Sequence, residues 1–219
     1  MSAPGRTLVL VPTEIERRHL ARQPRFGVDA PCELCGFGPV AAAARAAALI
    51  DRHRPDRLLL VGIAGTFDPA TLPVGTAAAF GRAVLDGVGV GSGAAFVPAG
   101  TMGFAHWTDE AGGWSVGDEL ELATPVPPAP GPLLTCCAAA GSAEEARWRR
   151  ARVPGATAED MEGFGVALAG RLAAVPVAVV RGISNEVGDR RVDRWRVPEA
   201  LEAAWAAAAP LLDRPDWTR

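Results

Sequence analysis

Three carboxylates fall within five residues at Glu159-Asp-Met-Glu-Gly163, where a short strand over 157–159 is expected to meet a helix over 162–173. Acids at a helix start favour the macrodipole, so the cluster has a purely structural reading. A carboxylate there can also accept hydrogen bonds from two adjacent hydroxyls, the arrangement of a ribose diol. Met161 beside it offers a soft apolar surface for a sugar face. Further on, Val177-Ala-Val-Val-Arg-Gly-Ile-Ser-Asn185 reads as a buried strand over 177–180 that reaches Arg181 and runs out through small and polar residues. Ligands of open α/β sheets gather at the carboxyl ends of strands. Arg181, Ser184 and Asn185 are therefore site candidates, although polar residues are ordinary in any loop.

Other groups carry weaker signals. Gly62-Ile-Ala-Gly65 follows an apolar strand and reads as a Gly-rich turn whose backbone could approach a ligand, with Gly62, Ala64 and Gly65 as the contacts. Gly36-Phe-Gly38 is a weaker case of the same kind. Glu14 and Glu16 open a helix directly after the first strand. Cys32-x-x-Cys35 has a metal or redox spacing, but no second pair follows, and His19, His53 and His106 stand at no ligand spacing. No metal and no disulfide are expected.

The elements that must position these residues alternate. Thr7-Leu-Val-Leu-Val11 is a buried strand, 14–21 a helix start, 32–35 a second strand and 40–53 an Ala-rich helix with Pro39 in its first turn. A third strand covers 57–61 and another lies within 74–83. The Gly-dense, aromatic stretch 87–117 reads as loops and short strands that could rim a site or contribute to an interface or lid. A Pro-rich turn region at 124–132, a strand at 133–139 and a helix opened by a Ser142/Glu145 capping box follow. Residues 198–212 read as a last amphipathic helix, and 213–219 as a fraying end. Strand–helix alternation of this kind predicts an α/β fold.

Composition bounds the function. With 219 residues, 49% of them hydrophobic, the chain fits one domain, 1–219, with a full core. All 22 basic residues are Arg, and the net charge of −3 argues against a nucleic-acid partner. No apolar run is long enough to span a bilayer and residues 1–6 are too short for a signal peptide, so a cytoplasmic protein without a membrane partner is expected.

A Glu-x-Glu after the first strand, Gly-Ile-Ala-Gly65, Met161-Glu-Gly163 and Arg181-Gly-Ile-Ser-Asn185 occur in an order that resembles the purine nucleoside phosphorylase and hydrolase superfamily. The nearer resemblance is to its nucleosidase branch, which includes methylthioadenosine/S-adenosylhomocysteine nucleosidases. Within that branch, Arg181-Gly-Ile-Ser-Asn-Glu-Val-Gly-Asp189 and Arg194-Trp-Arg-Val-Pro198 look like the futalosine hydrolases of a menaquinone pathway. The resemblance implies a three-layer α/β/α sandwich around a twisted mixed β-sheet, no cofactor and a homodimer. It implies hydrolysis of a purine nucleoside, with Glu16 (or Glu14, two residues earlier) activating water and Arg181 near that water. Met161 and Glu162 would hold the ribose, and Asn185, helped by Ser184, the base.

One departure narrows the substrate. Adenine-specific relatives carry an Asp where Asn185 stands, as a proton donor to N7. Asn donates through NH2 without giving up a proton, which suits a 6-oxopurine such as hypoxanthine. Another separates water from phosphate: the loop after the first strand carries carboxylates where phosphorylases place Gly and Arg, while Arg17 and Arg18 keep a phosphorylase open. An adenosine-type nucleosidase and a non-catalytic nucleoside-binding protein are the further alternatives. Futalosine bears a large aromatic acid on its 5′ side, for which Arg82, Arg190, Arg191 and Arg194 are equal candidates.

Overall fold

The computed structural model describes residues 5–215 and Trp217. Its strands and helices, in chain order, are β1 (Thr7–Val11), α1 (Glu14–Leu20), β2 (Cys32–Leu34), α2 (Pro39–His53), β3 (Arg57–Thr66), β4 (Ala77–Phe80) and β5 (Arg82–Asp86). Four two-residue strands follow, β6 (Gly89–Val90), β7 (Val97–Pro98), β8 (Trp107–Thr108) and β9 (Ser115–Val116). The remainder are β10 (Glu119–Glu121), β11 (Leu133–Cys136), α3 (Ala143–Arg152), β12 (Ala158–Asp160), α4 (Gly163–Leu172), β13 (Val177–Glu186) and α5 (Val197–Ala208).

β1, β3 and β13 are almost wholly apolar because both their faces are covered. Alternation sends Leu8, Leu10, Leu58, Leu60 and Val179 to one core with Leu49 of α2 and Val166 of α4. Val9, Val11, Leu59, Val61 and Val180 point the other way, against Leu201 and Trp205 of α5. Helices thus lie on both faces of a mixed sheet, the α/β/α layering expected. β1 runs parallel to β2 and β3, and β3 parallel to β13. β12 runs against the far end of β3, pairing Glu159 with Gly65. β12, β11 and β5 are parallel neighbours, and β13 pairs antiparallel with β4. Since only Gly81 separates β4 from β5, the pairings close a ring that begins and ends on β3.

Several sequence expectations need correction. Gly62 to Gly65 is not a turn: β3 continues through it to Thr66, because β13 and β12 pair with it there. β13 likewise runs past Val180 to Glu186, with a register shift between Ile183 and Asn185. Ser142 caps α3, but the Glu145 carboxylate binds Gly141 N–H and Arg149, so only half of the capping box forms. The chain end does not simply fray. Trp217 is buried, donates from its indole to Leu211 O and lies under the Arg57 guanidinium. Residues 1–4, 216, 218 and 219, which share the leader and tail expectations, lie outside the described residues. Among the described residues no helix is long and apolar enough to cross a membrane.

Gly182 marks the tightest approach of α5 to the sheet: a Cβ there would run into the backbone of Ala200. Gly182→Ala should cost about 1–3 kcal/mol or more of stability. Urea denaturation checks this; an unchanged midpoint would refute the close contact.

Candidate active site

A cleft of about 340 Å³ opens where the carboxyl ends of β1, β3 and β13 meet β12. Its wall includes Glu16, Ala64, Gly65, Met161, Glu162, Ser184 and Asn185, so most of the expected site residues converge on one space. A smaller recess of about 60 Å³ beside Asn185 shares Arg190 and Trp195 with it.

Glu16 is fixed by local chain logic. Thr13 is the N-cap of α1, accepting the Glu16 N–H, while Glu16 Oε2 accepts Thr13 N–H at 3.0 Å and its hydroxyl at 2.6 Å. Oε1 accepts the Ile63 N–H of β3 at 3.1 Å, which pins the buried carboxylate to the cleft floor. Glu14, the alternative, turns away to pair with Arg17 and Arg18 and does not line the cleft. That contact also occupies the two arginines that kept a phosphate site open.

Beneath the floor lies Arg181, with no exposure at all. Its Nε and Nη2 donate to Asp160 Oδ2 at 3.0 and 2.6 Å, and Nη2 also reaches Glu162 Oε2 at 3.2 Å. Burial alone would lower its pKa, but Asp160, Glu162 and Glu16 outweigh that and hold it above its ordinary value. Nη1 is the buried side-chain polar atom left without a hydrogen-bond partner among the described residues. It presses on the same side of Gly62 as Glu16 Oε1, and a Cβ at Gly62 would collide with Nη1. Gly62 therefore gives space to these two side chains, and the Ile63 N–H serves Glu16; neither was foreseen when this stretch was read as backbone facing a ligand.

Glu162 accepts Gly38 N–H on Oε1 at 3.0 Å, while Oε2 takes Arg181. Burial is the main cause that pushes its pKa up to about 7; Asp160 adds to the rise and Arg181 opposes it. Met161 lies half-buried on the cleft wall beside it. Asn185 is held by its neighbours: Ser184 Oγ donates to Oδ1 at 2.8 Å, and Nδ2 donates to Glu186 O at 2.8 Å. This leaves the second N–H of the amide as its unshared donor.

The partnerships of three residues escaped the sequence reading. Asp160 is the principal partner of Arg181; its other oxygen accepts the Thr135 hydroxyl at 2.6 Å, and Thr135 in turn accepts Phe164 N–H. Gly38, with φ of +84°, offers its N–H to Glu162. The signals were present in the acid run 159–162 and in Gly36-Phe-Gly38, but pairing them needed contacts across the fold. The three neighbouring acids have separate surroundings. Glu159, on the opposite face of β12 from Asp160, binds Arg149 and Ala140 N–H instead. None of the 87–117 stretch lines the cleft, so the rim expected there is not formed within this chain. Among the described residues no three His, Cys, Asp or Glu side chains are grouped to hold a metal ion, and the four cysteines are free.

Residues 17–214 match the profile of the phosphorylase superfamily. The chain is 37% identical over 186 residues to the futalosine hydrolase of Streptomyces coelicolor, covering 81% of this chain and 77% of that one. A second futalosine hydrolase, from Acidothermus cellulolyticus, is 42% identical over 84 residues, 38% of this chain and 34% of the relative. Among solved structures, a methylthioadenosine/S-adenosylhomocysteine nucleosidase of Colwellia psychrerythraea superposes with a TM-score of 0.73 at 19% identity, covering 96% of this chain and 94% of that one. The futalosine hydrolase of Helicobacter pylori gives 0.72 at 15% identity over 94% and 96%; both likenesses concern the fold. These matches place the chain in the phosphorylase superfamily and, within it, in the futalosine hydrolase family, a family of N-glycosidic bond hydrolases.

The raised pKa of Glu162 makes a signed prediction. A carboxyl that binds its proton more tightly when folded contributes stability fully below its ordinary 4.5 and loses that contribution as pH rises through about 7. The stability of the parent relative to Glu162→Gln should therefore fall between about pH 4.5 and pH 7 and level off above that. Parallel denaturation series check this, and a difference that rises with pH would overturn it.

Proposed function

We propose that this protein hydrolyses the N-glycosidic bond of futalosine, releasing hypoxanthine, in menaquinone biosynthesis. The observation that carries the reading is the pairing of Glu16 with the unshared Arg181 Nη1 on one side of Gly62. A water entering the cleft would donate to the Glu16 carboxylate, whose negative charge the Arg181 guanidinium balances from beneath the floor, the arrangement a general base needs. Water would then form the C1′–O bond as the C1′–N9 bond breaks. Its proton passes to Glu16, and the bonding pair leaves with the base, an anion that becomes hypoxanthine by taking up a proton from solvent as Glu16 returns its own. Ionised Glu162 would accept the ribose hydroxyls with Met161 against the sugar face. The free N–H of Asn185 would hydrogen-bond the departing hypoxanthine at O6, where adenine presents an amino donor instead, at a cost of about 1–3 kcal/mol per unsatisfied group. Ser184 supports this by holding the amide's oxygen side. No step in this scheme draws on a cofactor.

The reading includes one nucleosidase domain spanning the chain, work in the cytoplasm and a homodimer, and family resemblance supports the domain and the dimer. The exposed apolar side chains Ile15 and Phe37 on the cleft wall, together with exposed Val40 at the start of α2, support the dimer; light scattering at assay concentration should give twice the chain mass, and a monomer would refute it.

The reaction is tested by chromatography with futalosine, inosine and methylthioadenosine, each with and without phosphate. Hypoxanthine should appear from futalosine at a rate independent of phosphate, with methylthioadenosine a poor substrate. Glu16→Gln should bind futalosine yet turn over about 10²–10⁴-fold more slowly. Phosphate-dependent release of ribose 1-phosphate derivatives, or binding without turnover by the parent enzyme, would sink the proposal.

A further inference from the structure

The charged groups on the cleft wall are Glu16, Glu159, Asp160, Glu162 and a single cation, Arg190. The acids are spoken for: Asp160 and Glu162 face Arg181, Glu159 faces Arg149, and Glu16 caps α1. Arg190 is different. Among the described residues it has no carboxylate or carbonyl partner, and its guanidinium lies over the Trp195 ring, 5.0 Å from the centroid. The adjacent acid, Asp189, is taken by Arg191 through two contacts of 2.8 and 2.9 Å. The Trp195 indole N–H is tied to Asp189 O at 3.1 Å, which fixes the ring under the guanidinium. Arg82, by contrast, pairs with Glu119, and neither Arg191 nor Arg194 lines the cleft.

A guanidinium held over an indole, without a carboxylate partner, keeps its donors free for a planar anion. In the bound nucleoside the purine base, assigned to Asn185, and the ribose diol are neutral, so binding leaves this charge for another group. We propose that Arg190, braced by Trp195, receives the carboxylate of an aromatic acid carried on the 5′ side of the nucleoside. Exposed Phe37 and Ile15, which line the same cleft, supply an apolar surface for its ring. This assignment rests on the proposed futalosine hydrolysis and names the residue that would select its acidic substituent.

The test compares futalosine with its methyl ester, which differs only in that charge, on the parent enzyme, Arg190→Ala and Arg190→Lys. The parent should prefer the acid by about tenfold or more in kcat/KM, chiefly through KM, as expected for a hydrogen bond to a charged group. The preference should weaken as salt is raised. Arg190→Ala should abolish it, and Arg190→Lys should restore part of it. An acid preference that survives in Arg190→Ala, or equal losses on acid and ester, overturns the Arg190 assignment and leaves the hydrolase reading intact. A parent enzyme that cleaves neither compound overturns the hydrolase reading and the assignment with it.

Discussion

A guanidinium buried in the middle of a β-sheet is the constraint around which this molecule is arranged. Arg181 sits on β13 with no exposure, and a lone charge there would be untenable. Asp160 and Glu162 balance it, and removing either partner of such a buried pair typically costs about 3–5 kcal/mol. The demand spreads outward. Gly62 must lack a side chain to admit Nη1, and Gly163 must lack one beside Asp160 and Thr135. Thr135 must bridge Asp160 to the first turn of α4. Thus β3, β11, β12, β13 and α4 meet at one ion cluster, and the cleft is its upper surface.

The same arrangement separates acids that are neighbours in the chain. Strand alternation turns Glu159 toward Arg149 and Asp160 toward Arg181, while the entry into α4 lifts Glu162 to the cleft wall. In the proposed reaction only Glu162 of the three meets substrate. Asp160 acts through Arg181, and Glu159 through the Ala140 N–H that shapes the recess beside Asn185.

The parts legible in the sequence were those governed by local pattern. The apolar runs of β1, β3 and β13 and the Ala-rich α2 declare themselves through burial and periodicity, and Pro39 marks the start of α2. Glu16, Met161, Glu162, Ser184 and Asn185 were legible because a motif resemblance named them and the fold brings them together. What stayed hidden depends on partners distant in the chain. β3 and β13 continue through glycines because each supplies the other's hydrogen bonds over 62–66. Asp160 looked like one acid among three until Arg181 stood against it, and the positive φ of Gly38 acquires a purpose only beside Glu162. The two-residue strands between 89 and 116 exist only as pairs, so neither member carries a signal alone.

The capping box of α1 has a dynamic consequence. The helix has seven residues, too few to persist unaided, and its first turn is closed by the very carboxylate that faces the cleft. Fraying of that turn and misplacement of Glu16 are therefore one event. In the proposed reaction, the opening equilibrium of this single helical turn would set the fraction of molecules ready to react, so amide exchange along α1 would report on the proposed chemistry as well as on folding.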